Sequence, residues 1–465
     1  MTVDIAPAGF EVLRRHGRDE KNGLKALAAY LEAATPGNLV NIWGSVGELA
    51  ASHVRIAGLS KFTKLGDWIS IETDSGEQIA EAIRIVSDSI LVRPLEDKHR
   101  AAIGARARIA QSLELRPDMS WRGRVIDALA RPLDGGPPLM IGARTVPLDR
   151  APPSAFHRER VSEPVFTGVR AIDMFTPLCA GQRIGIFAGS GVGKSTLLSM
   201  LARGNRFDTT VFAAIGERGR EVKEFVEDTL GDCIAKAVVV VSTSDESPMM
   251  RRLAAKTALA VAEFFRDLGQ HVLLIFDSIT RYAQADREIA LAAGEPPVSR
   301  GFPPSVFTGL PKLLERAGCD TEGGSITGVF AVLVEGDDHN DPVADTLRGI
   351  LDGHIVLDRA IADQGRFPAI DILGSVSRLA MRVWSPQQRT AVSSLKALIA
   401  KFEETRDIRL IGGYKANNDP ELDRAVRLVP QLYQFLSQAP DGVRHEETID
   451  AMLRAVLAME NARAG

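Results

Sequence analysis

Gly189-Ser-Gly-Val-Gly-Lys-Ser-Thr196 sets a lysine and two hydroxyls behind three glycines, between the apolar run Arg183-Ile-Gly-Ile-Phe187 and the apolar run Leu197-Leu-Ser-Met-Leu201. Strand, glycine-rich loop and helix in that order turn successive backbone N–H groups around a phosphate, with the helix N-terminus adding a favourable dipole. Gly189, Ser190, Gly191, Val192, Gly193 and Thr196 supply the cradle. Lys194 can reach the β- and γ-phosphates of a nucleotide, and the Ser195 hydroxyl can ligate Mg²⁺. The pattern calls for Gly at 188, and this chain has Ala188. Gly191 and Gly193, the glycines nearest the phosphates, are in place, so Ala188 reads as tolerated.

Two acids sit where strands should end. His271-Val-Leu-Leu-Ile-Phe-Asp277 is a buried strand running into a carboxylate, which would lie beside the phosphate loop and hold Mg²⁺ directly or through water. The bland alternative is that Asp277 caps the following helix. Val211-Phe-Ala-Ala-Ile-Gly-Glu-Arg-Gly-Arg-Glu221 puts Glu217 at a strand tip, where an acid can orient a water for attack on the γ-phosphate. Arg218 could steady developing charge there, and Glu221 follows four residues later. Acids are equally at home at the start of a solvated helix, and spacing alone leaves those two readings even. Arg378, in Ser375-Val-Ser-Arg378, would not be selected by pattern at all.

The elements that must position these residues are legible in outline. At 465 residues with 45% hydrophobic and 25% charged residues, the chain fits a globular protein of two to four domains. Residues 1–36 carry a helical segment with Leu24, Leu27, Ala28 and Leu31 at helical spacing, closed by Pro36-Gly37. Residues 37–112 hold short strands separated by Gly, Asp and Ser turns, the signature of a small β-barrel or sandwich. Residues 113–384 alternate strand-like and helical runs, with strands expected at 183–187, 209–215, 236–242, 271–276, 327–334 and 353–357. That alternation implies an α/β domain with a mostly parallel sheet. Residues 385–465 read as three helices forming a C-terminal α-helical domain.

The formal net charge of -4 supplies no field for a polyanion, which argues against a nucleic-acid partner. Cys179, Cys233 and Cys319 make neither a metal pattern nor a disulfide framework, which fits a reducing compartment. The N-terminus lacks a basic-then-apolar leader, and the longest apolar runs are far too short to span a bilayer. A cytoplasmic protein is expected.

Taken together, Gly189 to Thr196, Gly216-Glu-Arg218, Asp277-Ser-Ile-Thr-Arg-Tyr-Ala-Gln284 and Ser375-Val-Ser-Arg378 resemble the catalytic-subunit family of rotary ATPases. Within that family the chain resembles the flagellar and type III secretion export ATPases. Arg287-Glu-Ile-Ala-Leu-Ala-Ala-Gly-Glu-Pro-Pro297, Gly301-Phe-Pro-Pro-Ser-Val-Phe307, Leu333-Val-Glu-Gly-Asp-Asp338 and Gly349-Ile-Leu-Asp-Gly-His-Ile-Val-Leu-Asp-Arg359 carry that branch resemblance. Thr176-Pro-Leu-Cys-Ala-Gly-Gln-Arg-Ile-Gly-Ile-Phe-Ala-Gly189 favours the flagellar member over the virulence one.

The resemblance implies a P-loop (RecA-like) core and Mg²⁺-dependent ATP hydrolysis coupled to export. It makes Glu217 the water-activating glutamate and places Arg218 and Arg281 near the phosphates and metal. It sets Phe367 against adenine and makes Arg378 an arginine finger for the neighbouring subunit's nucleotide. One chain then holds both Glu217 and Arg378, so a homohexamer with shared sites is expected. Further implied partners are a stalk-like regulator on the N-terminal helix, a central coiled-coil protein in the pore facing residues 288–307, export chaperone–substrate complexes and a membrane export gate. The implied location is peripheral, at the inner face of the cytoplasmic membrane. Three other readings compete. A non-catalytic ring subunit carries Gln where this chain has Glu217. An RNA translocase needs a basic, aromatic-lined fold, and Trp43 and Trp68 alone do not make one. A proton-driven ATP synthase catalytic subunit lacks the Gly-Glu-Pro-Pro segment.

Overall fold

The computed structural model of the protein describes residues 42–96, 101–154, 159–161, 163–203, 206–320, 323–334, 341–439 and 447–461. The expected N-terminal helical segment lies outside them. So do Glu335 to Asp338 of the Leu333-Val-Glu-Gly-Asp-Asp338 run.

The chain divides into two compact units, Met1–Ser112 with Glu288–Pro296, and Leu113–Arg287 with Pro297–Gly465. In the first unit six strands close into a barrel: β1 (Trp43–Leu49), β2 (Val54–Ala57), β3 (Trp68–Thr73), β4 (Gly76–Ile85), β5 (Ser89–Pro94) and β6 (Arg106–Ile109). Alternate residues such as Val54, Ile56, Ile69, Ile71, Ala80, Ala82, Ile90 and Val92 point inward and fill it. Gly44 is needed in β1, because a Cβ there would sit 2.5 Å from the Ala57 carbonyl oxygen. Strands β2 and β6 escape sequence reading: each has four residues, and half of β6, Arg-Ala-Arg-Ile, is charged. Within this unit Arg93 Nη1 donates to the Glu288 carbonyl (2.9 Å) and Arg84 Nη1 to that of Ala293 (3.2 Å). Residues 288–296, expected to face a pore partner, are thus fastened by backbone bonds to barrel arginines.

The second unit is built on a nine-stranded sheet. Its members are β7 (Arg124–Asp127), β10 (Arg183–Ala188), β11 (Thr209–Glu217), β12 (Ala237–Thr243), β13 (His271–Asp277), β14 (Gly318–Cys319), β15 (Ser325–Leu333), β16 (Gly353–Leu357) and β17 (Ile370–Ser377). The two-residue strands β8 (Pro164–Val165) and β9 (Leu178–Cys179) pair separately. The order β17-β16-β10-β15-β13-β11-β12-β7 is parallel throughout except for β17, while β14 pairs antiparallel with β15 off that path. Helices cover the sheet, so its central strands are apolar on both faces, as in Ala237-Val-Val-Val-Val241.

Two edge strands differ from expectation. β7 lies outside the strands expected from sequence, and its parallel register with β12 makes it part of the sheet. β17 runs antiparallel to β16, with Gly353 opposite Ser377 and Leu357 opposite Ile370. The C-terminal helices Pro386–Glu404, Pro420–Leu436 and Ile449–Asn461 bury Leu395, Leu398, Leu428, Leu432 and Met452 together with Met174, Phe175 and Ile372. These helices fall within the same compact unit as the sheet. No helix among the described residues is long and apolar enough to cross a membrane.

Candidate functional site

Parallel strands deliver their carboxyl ends to one edge of a sheet, and ligands gather there. β10 ends at Ala188, β11 at Glu217 and β13 at Asp277, and the loops that follow enclose a cavity of about 730 Å³. Its walls include Gly189, Ser190, Gly191, Gly193, Lys194, Ser195, Thr196, Glu217, Arg218 and Arg281. Gly191 (φ 79°) and Gly193 (φ 96°) occupy the left-handed region that favours glycine, and Gly193 caps the helix Lys194–Ala202. Val192 turns the other way, into the core, at 2% exposure, so only its backbone can serve the loop.

Gly216 (φ 71°) breaks the β11–β12 register immediately before Glu217 and re-aims that side chain. A Cβ at 216 would meet Arg281 Cβ at 2.8 Å, so the glycine also lets Arg281 pack against the strand tip. Arg281 in turn donates from Nη1 to Gln284 (3.0 Å).

Lys194 Nζ lies between two carboxylates. It hydrogen-bonds Asp277 Oδ1 and stands 3.7 Å from Glu217 Oε1. Burial raises the Asp277 pKa, Lys194 opposes the shift and Glu217 reinforces it. Glu217 Oε1 is buried and accepts no hydrogen bond from any described residue, the mark of an atom that takes a water or a ligand. Ser195, Glu217 and Asp277 also line a side cavity of about 230 Å³, so a hydroxyl and two carboxylates face one space. Oxygen-only donors of this kind suit Mg²⁺, which takes one or two protein oxygens and fills its shell with phosphate and water. Arg218 is 82% exposed at the cavity rim beside Glu221 (3.6 Å).

Phe367 stands apart from the phosphate walls, over a second cavity of about 510 Å³ lined by Thr196, Gly365, Ser437, Gln438 and Ala439. A Cβ on Gly193 would be 4.0 Å from its ring, and the ring is 42% exposed, a free face for a planar base. Gln438 fixes it in place. Its backbone N–H donates to the Phe367 carbonyl (2.8 Å), while its side-chain amide accepts from Arg170 N–H (2.8 Å) and donates to the Gly168 carbonyl (2.9 Å). Arg366 lies over the Tyr433 ring at 3.8 Å.

Arg378 is not brought into the phosphate cavity. It follows Ser377, which pairs with Gly353 at the opposite end of β16 from Leu357, the residue level with Ala188. Four residue steps of strand, about 13 Å, separate the two ends. That span exceeds the reach of an arginine side chain. Arg359 was missed by sequence reasoning: its Nη2 donates to the Ser190 carbonyl (2.9 Å) and it lines the cavity. The available signal was position, two residues beyond a strand parallel to β10. Gln438 had no such signal, since its role exists only once the C-terminal helices dock.

Residues 168–377 match the ATP synthase alpha/beta family, nucleotide-binding domain, and residues 384–454 match the T3SS EscN ATPase C-terminal domain. The chain is 54% identical to the flagellum-specific ATP synthase of Agrobacterium fabrum over 86% of this chain and 84% of that one. It is 51% identical to that of Rhizobium meliloti, over 90% of each. Among solved structures it is similar to the assembled ATPase EscN of the enteropathogenic E. coli type III secretion system. That likeness has 38% identity and a TM-score of 0.83, covering 90% of this chain and all of that one. EscN in complex with its central stalk EscO matches at a TM-score of 0.81, with the same identity and coverage.

Proposed function

Since this chain belongs to the ATP synthase alpha/beta family, among its flagellum-specific members, we propose that it works as a ring of six identical subunits whose nucleotide sites are shared between neighbours. It is a P-loop ATPase that energises type III export of flagellar proteins. The observation that carries the ring is the position of Arg378, on the same chain as Glu217 but at the far end of the sheet. A finger that cannot reach its own phosphates completes a site only by head-to-tail packing against the next subunit. The likeness to EscN in its assembled form supports the same reading.

Within each site the backbone of Gly189 to Gly193 and Lys194 grip the β- and γ-phosphates, and Phe367 stacks on adenine. Ser195 Oγ and Asp277 are the groups that would hold Mg²⁺, whose chemistry there is to neutralise phosphate charge. Glu217, whose Oε1 accepts no hydrogen bond from a described residue, orients and deprotonates the attacking water. Arg218 and Arg281 line the cavity where charge develops. Arg378 of the adjoining subunit stabilises that charge in the transition state. By analogy with EscN and its central stalk EscO, a central coiled-coil protein occupies the ring. The resemblance to export ATPases further suggests a stalk-like regulator on the N-terminal segment. Export chaperone–substrate complexes and a membrane export gate are the remaining partners, with the ring peripheral at the inner face of the cytoplasmic membrane.

Specific activity should therefore rise faster than linearly with protein concentration and plateau once rings form. Measuring ATP turnover beside light-scattering mass checks this; activity that is flat across the monomer range sinks the shared site. Phe367→Ala should raise the KM for ATP about 5- to 100-fold, the worth of one base–aromatic stack. Hydrolysis of inorganic tripolyphosphate, which has no base, should be unchanged by it. A parallel loss on both substrates would remove Phe367 from the base site.

A further inference from the structure

Arg378 leaves β17 on an exposed edge of the sheet, yet its guanidinium is held. Nη2 donates to the Arg348 carbonyl (2.9 Å), and the Arg378 backbone N–H donates to the Asp352 carbonyl (2.9 Å). Arg348 lies in the last turn of the helix Pro342–Ile350, where carbonyls have no intrahelical donor. Arg378 thus caps a helix C-terminus, a favourable place for a cation.

The Arg348 side chain is anchored in turn. Its guanidinium carbon lies 4.8 Å from the centroid of the Phe187 ring. Phe187 is buried in β10 one residue before Ala188, on the strand that runs directly into the phosphate loop. Its ring folds back along that strand, because Gly185 has no side chain: a Cβ there would meet Phe187 Cε2 at 2.5 Å. His354 meets the same ring edge-on, 5.7 Å between centroids. Burial and then Arg348 hold the His354 pKa below its ordinary value, Arg378 adding to them and a Gly374 backbone hydrogen bond opposing. The imidazole, between two guanidinium groups and an aromatic face, is thereby biased toward its neutral form.

We propose that Arg348 is a positioning residue for Arg378. Its side chain, seated on Phe187, fixes where the Arg348 carbonyl holds the finger, so the strand bearing one subunit's phosphate loop sets the arginine offered to the next subunit's nucleotide. The proposal rests on the reading of Arg378 as a finger acting in trans.

Arg348→Ala tests it in the full-length assembled ring. Alanine is the best helix former, so the helix itself should persist. Alanine removes the cation–π contact that seats this helix end on Phe187. With it lost, kcat should fall about tenfold, while the KM for ATP and the mass of the assembly stay as in the wild type. Arg348→Lys, which keeps a cation over the ring, should recover most of that loss. In an Arg378→Ala background, Arg348→Ala should cost nothing further, because there is no finger left to aim. A multiplicative loss in the double variant overturns the proposal, as does a rise in KM, a failure to assemble or an unchanged kcat in the single variant. If Arg378→Ala itself retains wild-type kcat, the fault lies in the finger reading instead.

Discussion

Arg378→Ala will lower the turnover of the assembled ATPase about 10³-fold or more, with ATP binding nearly intact. The side chain is exposed and, among the described residues, bonds to the Arg348 carbonyl, so its removal leaves no buried charge behind and the fold should hold. The stronger form of the result comes from mixing. Arg378→Ala subunits still carry Glu217, and Glu217→Gln subunits still carry Arg378. In a ring assembled from equal amounts of the two, about one interface in four joins an intact Glu217 to an intact Arg378. Turnover should therefore return to about a quarter of the wild-type value from two preparations that are each nearly inert. Recovery confined to rings mixed before assembly would establish that the site is shared. No recovery, with mixed rings confirmed by mass, would return Arg378 to an intrasubunit role.

Glu217→Gln is expected to lower kcat by about 10²- to 10⁴-fold, the range for losing a general base, and to leave the KM for ATP within a few-fold of wild type. Gln is nearly isosteric, so packing around β11 survives. What goes is the carboxylate oxygen that has no hydrogen-bond partner among the described residues and stands 3.7 Å from Lys194 Nζ. Single-turnover measurements separate the cases. A slow chemical step with normal ATP capture supports Glu217 as the water's base. A variant that binds ATP poorly but hydrolyses what it binds at the normal rate would make Glu217 a partner of Lys194 in binding instead.

The parts of this site that were legible in sequence share one property: they are contiguous, or they end a strongly apolar strand. The phosphate loop needs only its own backbone and helix. Asp277 advertises itself by ending the apolar run Val272 to Phe276; the run Val211 to Ile215 places Glu217 at a strand tip, and the family resemblance, not spacing, singled out its role. Arg378 has no such context. It follows a strand, β17, whose exposed and half-buried positions give little apolar pattern, and only family resemblance selected it. Arg359, Gln438 and Arg348 were not found because each acts through a backbone carbonyl or amide that tertiary folding brings near. Strands β2, β6 and β7 were missed for a simpler reason: four residues give too little periodicity to read.

The antiparallel strand β17 has a consequence for how this chain can vary. Phe367 precedes it at the level of the phosphate loop, and Arg378 follows it at the other end, so it acts as a gauge between a base platform and a finger. Side chains in a strand alternate faces, so one residue added in the paired stretches would turn one of the two away from its work. The gauge nevertheless contains slack. Two steps on β16, from His354 to Val356, face five on β17, from Val376 back to Asp371. That surplus is tied off by Ser375, whose Oγ accepts from Val356 N–H (3.0 Å) and donates to the Asp371 carbonyl. Changes of length belong in this knot, where they are absorbed locally, and are barred from the paired residues on either side of it.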